Sequence, residues 1–365
     1  MRFLIIIRRF NGDVLLTSPL IQKLKENYPQ CQIDILVNDN TAAVAGLLKN
    51  IDNIIIFDQS FRQKRGMKRV LTRLNTEFNI LKRIIKKYDL SINLTATDSS
   101  NIYAIISGKK SIGVGEKGAI RKSWWKQRFL GKCFEEDFSE NIVLHNIYPL
   151  EYLKIKKNDL YVSLNIDDKD IENSKNIIDD EKKFVIIHSS SQFFYKTWPI
   201  EKTIELAEKI IEKGFQVVFT GGKGEVDLFN SNRIGKEIGI NLIGKTTLGV
   251  FNALLSRCCF YIGMDTLNTH LSAALNKPTV AIFGPTLVKR WSPWSRESQS
   301  GAEKEKGVQT YGNITLITPE DDCSGCGLAG CQDNNDSRCI ALEKLSVSYV
   351  WDNVYKTMLE KNILN

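Results

Sequence analysis

The chain has 365 residues, of which 42% are hydrophobic and 25% are charged. These proportions are typical of a folded globular protein and exclude a disordered chain. The length exceeds what one hydrophobic core usually supports, so two domains are expected. No apolar run approaches the ~20 residues of a membrane-spanning helix, and Met1 leads into an apolar strand rather than a signal peptide. We therefore expect a cytoplasmic protein whose eight cysteines are mostly reduced.

The net charge of +8 is concentrated in the first part of the chain. Residues 1–150 contain 24 Lys and Arg against 14 Asp and Glu, a balance of +10, whereas the remainder has a balance of −2. Much of the excess lies in 61–73, 81–87 and 116–132. A basic half favours an anionic partner such as a phosphorylated lipid, a nucleic acid or a membrane face. For any single cluster, a solvated helix face is the alternative.

Strand-like and helical patterns alternate twice along the chain. The first series predicts strands at 2–7, 33–37, 54–57, 90–94 and 112–114, with helices such as 14–27 and 68–87. The second predicts strands at 183–190, 215–222, 240–244, 259–264 and 278–284, with helices at 201–213, 225–236, 248–256 and 266–276. Continuous apolar strands separated by amphipathic helices predict parallel sheets that are buried on both faces.

The repeated pattern predicts an α/β protein with two Rossmann-like α/β/α domains that face each other across a cleft. The first domain is expected at 1–165 and the second at 184–344, and the polar segment between them, 166–183, is interpreted as a helix plus linker. A final helix within 345–365 is long enough to cross back onto the first domain.

The turn after the first strand, Arg8 to Asp13, lies at the carboxyl edge of the predicted sheet, where α/β proteins bind ligands. A helix N-terminus at this place usually binds an anion, yet this turn supplies its own carboxylate, Asp13. Two interpretations are open. Asp13 caps the helix, or it is a general base for a substrate hydroxyl.

Two loops of the second series have the composition of a phosphate site. Ser189, Ser190, Ser191 and Lys196 follow its first strand, ahead of a helix that starts at Pro199. Hydroxyl groups with one lysine suit a diphosphate.

The other loop follows the strand 259–264. Asp265 stands at the expected cap position, and Thr266 and His270 project from the start of the next helix. Free backbone amides at a helix start hold phosphate, and the helix dipole supports them. An ordinary cap and a half-buried histidine are the alternative interpretation.

Two motif matches are discounted. The segment 239–246, GINLIGKT, has P-loop spacing, but the residues between its glycines form a strand rather than a phosphate-binding loop. Asp168 and Asp170 resemble a metal-binding carboxylate pair, but Asp167 and Asp168 are better explained as helix caps.

Further motifs make the chain resemble glycosyltransferase family 9, the heptosyltransferases of the lipopolysaccharide inner core. The matching segments are NGDVLLTSPLI, SSSQFFYKTWP, FTGGKGEVD, GMDTLNTHLSAAL, AIFGPT and KRWSPWS, which occur in the family's order over nearly the whole chain. The RRFNGD turn and RWSPW look most like the heptosyltransferase III branch. One departure is Leu267, where relatives often have glycine after the Asp-Thr pair.

The resemblance implies a GT-B type fold and an inverting transfer of heptose from ADP-heptose to a phosphorylated core acceptor, without a catalytic metal. It implies that Asp13 is the general base and that Lys196 neutralises the departing diphosphate. The implied donor-binding residues are Ser190, Ser191, Gly222, Glu225, Asp265, Thr266 and His270. The implied acceptor-binding residues, in the first domain, are Gly12, Arg62, Lys64 and Arg121. Peripheral contact with the inner membrane surface, and no nucleic acid partner, are expected.

The segment 323–339 contains four cysteines, Cys323, Cys326, Cys331 and Cys339. Their spacing is compatible with a structural zinc or iron, with reduced thiols and with a disulfide.

Three alternative functions are open from the sequence. One is a glycosyltransferase with another sugar nucleotide or a protein acceptor, and another is a sugar-nucleotide epimerase. The third, of a different class, is a basic nucleic-acid-binding protein with a cysteine metal knuckle. It leaves Asp13 and the paired phosphate loops unexplained.

Overall fold

The computed structural model describes residues 1–118, 122–179, 181–226 and 234–364. The chain divides into two units, Met1–Asn165 and Ile166–Asn365. Each unit contains one largely parallel sheet with helices packed on it, which confirms the predicted pair of Rossmann-like domains. Arg121 and most of the predicted helix 225–236 lie outside the described residues.

In the first unit, the described strands form a sheet in the order β3-β2-β1-β4-β5-β6, in which all neighbours are parallel. These strands are β1 (Arg2–Ile6), β2 (Gln32–Asn38), β3 (Asn53–Phe57), β4 (Tyr88–Asn93), β5 (Gly108–Gly115) and β6 (Lys132–Glu135). The helices are α1 (Asn11–Leu15), α2 (Ser18–Asn27), α3 (Ala42–Ala45), α4 (Gly66–Ile84), α5 (Asp98–Ser107), α6 (Trp124–Phe129), α7 (Ile142–Asn146) and α8 (Pro149–Tyr152).

The sequence of β1 explains its central position. Phe3 to Ile6 are fully buried because the strand pairs with β2 on one side and β4 on the other. The predicted helix 14–27 is two helices, α1 and α2, because Pro19 lies in the first turn of α2. A proline lacks the N–H that would continue a helix and clashes with the preceding turn. The break leaves α1 short, with Asp13 on it.

In the second unit, the described strands form a sheet in the order β12-β13-β11-β10-β7-β8-β9. They are β7 (Phe184–His188), β8 (Gln216–Thr220), β9 (Ile240–Asn241), β10 (Phe260–Met264), β11 (Thr279–Ile282), β12 (Gly307–Tyr311) and β13 (Ile314–Thr318). The helices are α9 (Asp168–Lys175), α10 (Ile200–Ile211), α11 (Leu248–Arg257), α12 (Leu267–Ala274), α13 (Val288–Trp291), α14 (Ile340–Lys344) and α15 (Val347–Glu360).

Strands β6, β12 and β13 are absent from the prediction. Strand β12 is antiparallel to β13, and Gly312 has φ of +51° in the turn that joins them. The discounted P-loop match is a short strand followed by a turn, because Ile240 and Asn241 form β9 and the Lys245 ammonium donates to the Asn241 carbonyl oxygen at 2.9 Å.

One face of the last helix, α15, is buried within the second unit. Val347, Val350, Val354 and Met358, on the buried face of α15, join the apolar core of the second unit, in which α15 packs against α10 and β13. Its amphipathic pattern shows that one face is buried but not which surface covers it.

Residues 166–183 are not an independent linker, because they contain α9, which packs on α11 within the second unit. Asp167 caps α9, as predicted, by accepting from the Lys169 N–H at 2.9 Å. The Arg257 guanidinium donates to the Ser174 hydroxyl at 2.9 Å, which fixes α9 against the end of α11.

Within the described part of the chain, every helix is too short or too polar to cross a membrane.

Candidate active site

Asp13 lies on α1, directly after the carboxyl end of β1, and is 4% exposed. Its Oδ2 accepts from the Phe10 N–H at 3.2 Å, so it closes the first turn of α1 as a capping group. Its Oδ1 lies 3.2 Å from the Arg9 Nε, and the Arg9 Nη1 lies 2.6 Å from the Glu136 Oε1. Capping and charge pairing therefore hold this carboxylate in one orientation.

A cavity of about 630 Å³ in the first unit adjoins this turn and includes Phe10, Arg9 and Glu136 in its wall. Its charged lining consists of Arg8, Arg9, Arg62, Arg69, Arg73, Glu77, Glu116 and Glu136. The Arg8 guanidinium stacks 3.7 Å from the centre of the Phe57 ring, and burial lowers the pKa of Arg8. Arginines in such a cavity suit a phosphate, because the guanidinium donates two parallel hydrogen bonds.

Of the predicted acceptor-binding residues, Arg62 lines this cavity. Gly12 is in α1, one residue before Asp13. Lys64 is exposed, and its ammonium donates to the Thr72 hydroxyl at 3.0 Å. Arg121 is outside the described residues, so its position is not compared.

In the second unit, Lys196 and Asp265 meet although 69 residues separate them. The Lys196 Nζ donates to the Asp265 Oδ2 at 2.6 Å, and the Thr286 hydroxyl donates to the same oxygen at 2.5 Å. Lys196 follows β7 and Asp265 follows β10, two neighbouring strands of the sheet. Parallel strands end at the same edge, which is why the two loops come together.

Burial alone would lower the pKa of Lys196, but the Asp265 carboxylate reverses this and raises it. Burial alone would raise the pKa of Asp265, and the Lys196 ammonium and the Thr286 hydroxyl lower it instead. Both groups are therefore charged at neutral pH. An ammonium ion at the carboxyl edge of the sheet can stabilise charge that develops on a phosphate.

The serine loop after β7 is tied to the loop after β8. The Ser190 hydroxyl donates to the Glu225 carboxylate, and the Gly222 N–H donates to the same oxygen at 2.8 Å. Ser191 accepts from the Phe193 N–H at 3.3 Å. The predicted donor residues Ser190, Gly222 and Glu225 thus form one hydrogen-bonded group.

The start of α12 differs by one residue from the expectation. Thr266, not Asp265, is the N-cap, and Leu267 is the first helical residue. Leu267 lacks a positive φ, so the backbone here does not require the glycine found in relatives. Buried atoms near this edge, among them the Ser189 Oγ and the His270 Nδ1, have no hydrogen-bond partner within the described chain. Most buried polar atoms in proteins have a hydrogen-bond partner, so these atoms are available to a water, an ion or a polar ligand.

The family model described as glycosyltransferase family 9 (heptosyltransferase) matches residues 78–310. The chain belongs to this family. The resemblance predicted from the motifs is therefore confirmed, and the protein is a glycosyltransferase. Family membership does not support the alternatives of an epimerase and a nucleic-acid-binding protein.

This glycosyltransferase is 25% identical over 296 residues to lipopolysaccharide heptosyltransferase 3 of Escherichia coli, with 79% of this chain and 84% of the relative covered. Its fold is similar to that of an Escherichia coli ADP-heptose lipopolysaccharide heptosyltransferase II, with a TM-score of 0.73, 18% identity and coverage of 99% and 100%. It is also similar to a family 9 glycosyltransferase of Veillonella parvula, with a TM-score of 0.75, 20% identity and coverage of 98% and 97%. These similarities confirm the predicted GT-B type fold.

Several residues that contact the candidate site residues were not predicted. In the first unit, Arg9 pairs with Asp13 and with Glu136, and in the second unit Thr286 donates to Asp265. His188, at the end of β7, is hydrogen-bonded to the Thr220 hydroxyl at 3.0 Å. The position of Thr286 in the AIFGPT segment was the one available signal, because that segment follows β11 at the same edge of the sheet.

The four cysteines of 323–339 are free, and only Cys339 among them is buried. The Ile340 N–H donates to the Cys331 Sγ at 3.4 Å. Among the residues that the structure describes, no three His, Cys, Asp or Glu side chains are placed to hold a metal ion. The structural metal remains a prediction.

Two buried histidines of the second unit, His188 and His270, should make the stability of the protein depend on pH. Burial lowers the pKa of His188 to about 4, although Glu225 opposes the shift. Burial likewise lowers the pKa of His270 to about 4, against the effect of Asp265. The unfolded histidines titrate near their ordinary pKa of about 6.5, so the unfolded state binds more protons between about pH 4 and 6.5. Stability is therefore present above this window and is lost as the pH falls through it.

We expect the free energy of unfolding to fall by up to about 1.4 kcal/mol per pH unit for each histidine in this window. Urea unfolding at several pH values measures the slope, and replacing His270→Asn should reduce it. A slope that is the same in parent and variant would contradict the assignment. NMR titration of the histidine rings provides a check that does not depend on the variant's stability.

Proposed function

We propose that this family 9 enzyme transfers a heptose from ADP-heptose to the inner core of lipopolysaccharide, with inversion at the sugar. Its membership of the heptosyltransferase family and the names of its relatives support this proposal. The observation that carries it is the ion pair of Lys196 and Asp265 at the carboxyl edge of the second sheet, where a sugar diphosphate binds in folds of this class.

In this proposal Asp13 accepts the proton of the acceptor hydroxyl as that oxygen attacks the anomeric carbon. The bond from that carbon to the diphosphate breaks, and the diphosphate leaves with the electron pair. Lys196 offsets the negative charge that develops on the leaving group. The opposite faces of attack and departure give inversion in one displacement.

The remaining residues bind the two substrates. Ser190, Ser191, Thr266 and the first amides of α12 hold the phosphates, and the helix dipole supports them. Asp265 and His270 contact the sugar-phosphate region, and Glu225, with Gly222, faces the nucleoside. Gly12, Arg62, Lys64 and Arg121 contact the acceptor. The enzyme is proposed to act in the cytoplasm at the inner membrane face.

The proposed function is tested by incubating the enzyme with ADP-heptose, other sugar nucleotides and truncated core acceptors. We expect release of ADP that requires both ADP-heptose and a lipopolysaccharide core acceptor. Transfer from a different sugar nucleotide, or to a protein in place of the core acceptor, would contradict the proposal. Tight salt-sensitive binding of generic RNA without affinity for ADP would favour the nucleic-acid alternative.

Charge reversal before α4 should weaken use of a phosphorylated acceptor. Arg62→Glu, Lys64→Glu and Arg65→Glu together should raise the KM for that acceptor by at least about tenfold at low salt, because each exposed cation near an anionic surface contributes about 1 kcal/mol. Donor affinity should not change, and the defect should shrink with a dephosphorylated acceptor. Raised salt should weaken the parent in the same way, because exposed charges are screened within about 8–10 Å.

The matched control reverses three exposed lysines of the second unit, Lys182→Glu, Lys304→Glu and Lys356→Glu. It makes the same change in net charge away from the proposed acceptor residues. Equal KM values for the parent and the first triple variant at low salt would show that Arg62, Lys64 and Arg65 form only a solvated face.

A further inference from the structure

Helix α4 (Gly66–Ile84) is attached to the first unit by one narrow edge. Its buried residues are Thr76, Ile80 and Ile84, all in its second half. Ile80 and Ile84 join an apolar cluster with residues of β1, β3 and α5. This edge accounts for the position of the helix, but it uses few of the apolar side chains that the helix carries.

The opposite side of α4 exposes a row of large apolar side chains. Met67, Val70, Leu71, Leu74 and Phe78 are each 51–73% exposed. Their spacing of three and four residues places them within an arc of about 100° on a helix that turns by 3.6 residues. Single exposed apolar residues are ordinary, but a continuous row of this kind marks an interaction surface.

The surroundings of this apolar row are strongly cationic. Residues 62–87 contain ten Lys and Arg and one acidic residue, Glu77. Glu77 is not available to an external cation, because it accepts a hydrogen bond from the Tyr103 hydroxyl and faces Arg73 at 3.8 Å. Lys68 and Lys82 are both exposed. On a helix of 3.6 residues per turn they lie beside Leu71, at one border of the apolar row.

We infer that α4 is a membrane-docking helix, which lies in the plane of an anionic lipid surface. Its apolar row enters the boundary between headgroups and acyl chains, and the lysines and arginines beside it contact the lipid phosphates. A large apolar face with Lys and Arg on the polar face is the composition of helices that bind in this way. Each cation near such a surface adds to the attraction.

Charge favours lipid over a second copy of this chain as the occupant. Two copies that met through this row would bring two strongly cationic segments together, and like charges oppose such an association. An anionic lipid surface supplies both the apolar medium and the opposite charge. The face is therefore matched in both properties by lipid.

The inference extends the proposed function, whose acceptor is a lipid, but it concerns different residues. Arg62 and Lys64 are assigned to the acceptor, whereas the docking residues belong to the apolar row, which includes Leu71, Leu74 and Phe78. Lipid binding can be measured without donor or acceptor. Lipid binding without sugar transfer would support this inference and contradict the proposed function. Sugar transfer without lipid binding would contradict this inference and support the proposed function.

The test is co-sedimentation of the full chain with vesicles of phosphatidylglycerol mixed with phosphatidylcholine, and with vesicles of phosphatidylcholine alone. Leu71→Gln, Leu74→Gln and Phe78→Gln together replace three of the five side chains of the apolar row by glutamine, a residue that favours helices. The matched control is Asn75→Gln with Asn79→Gln, on the exposed polar side of α4. Circular dichroism and thermal unfolding should be unchanged in both variants, because the replaced side chains are exposed.

We expect the parent and the control to bind the anionic vesicles, and the triple variant to bind them at least about tenfold more weakly, since affinity scales with the apolar area that enters the interface. Equal binding by the triple variant and the parent, or no binding of the parent to anionic vesicles, would overturn the inference. Sedimentation velocity without lipid tests whether a second copy of this chain occupies the apolar row instead. A parent dimer that dissociates in the triple variant would assign the row to a second copy.

Discussion

Replacing Asp13→Asn is expected to reduce turnover by about 10²–10⁴-fold, the range typical of lost base catalysis, while donor affinity stays nearly the same. An amide cannot accept the proton of the acceptor hydroxyl. Its side-chain oxygen can still accept from the Phe10 N–H, as the Asp13 carboxylate does at 3.2 Å, so the first turn of α1 is kept. Initial rates with ADP-heptose and a core acceptor, together with a calorimetric titration of the donor, measure the two effects.

Capping and base catalysis can be separated because each has its own observable. If Asp13 only caps α1, Asp13→Ala should lower the unfolding temperature, and Asp13→Asn should behave like the parent in both stability and rate. The matched control is Asp39→Asn, which changes another carboxylate in the turn after a strand of the same sheet. An Asp13→Asn enzyme that turns over nearly as fast as the parent would show that the carboxylate is a cap.

Arg9 offers a second test of how the Asp13 carboxylate is held. The guanidinium lies between Asp13 and Glu136, and a change to Gln removes the charge that faces both carboxylates. A general base whose orientation depends on Arg9 would lose rate in this variant, whereas acceptor binding through Arg62 would remain. The sequence could not show this arrangement, since Glu136 comes 123 residues after Asp13, next to a short, half-exposed strand.

The two sheets could be predicted because their central strands are unambiguous. Strands β1, β7 and β10 are continuous apolar runs, and strands buried on both faces have this composition. This signal is weaker at the edges of the sheets, where β3 and β9 were predicted but β6 and β12 were not. Strand β6 is short and half-exposed, and β12 pairs on one side only, so neither could be separated from loop by its residues.

The candidate site could be predicted as a set of loops but not as a set of contacts. The carboxyl ends of parallel strands meet at one edge, which places the loops of Lys196 and Asp265 together. Their hydrogen bond depends on side-chain reach and on the Thr286 hydroxyl from a third loop. Thr286 lies in a loop with glycine and proline, where a threonine is an ordinary residue. The sequence therefore gives no reason to predict its hydrogen bond to Asp265.

A double-mutant cycle at Lys196 and Asp265 should show that the ion pair serves the reaction as well as the fold. Removing one partner of a buried pair leaves an uncompensated charge and costs about 3–5 kcal/mol of stability, whereas removing both partners costs much less. The pKa of Lys196 is raised and that of Asp265 is lowered. The ordinary pKa values of lysine and aspartate are about 10.4 and 3.9, so the pair stabilises the fold fully at pH 7. Stability and turnover should therefore be measured at pH 7.

Lys196→Met alone is expected to lower both the free energy of unfolding and the turnover, the latter by about 10²–10³-fold, as for the loss of one group that stabilises transition-state charge. Asp265→Asn, combined with Lys196→Met, should restore most of the stability because no buried charge is then unpaired. The turnover should stay low, because the ammonium that would face the leaving diphosphate is still missing. Recovery of rate together with stability in the double variant would mean that the pair only supports the fold. Recovery of stability without recovery of rate would show that the pair serves the reaction separately from the fold.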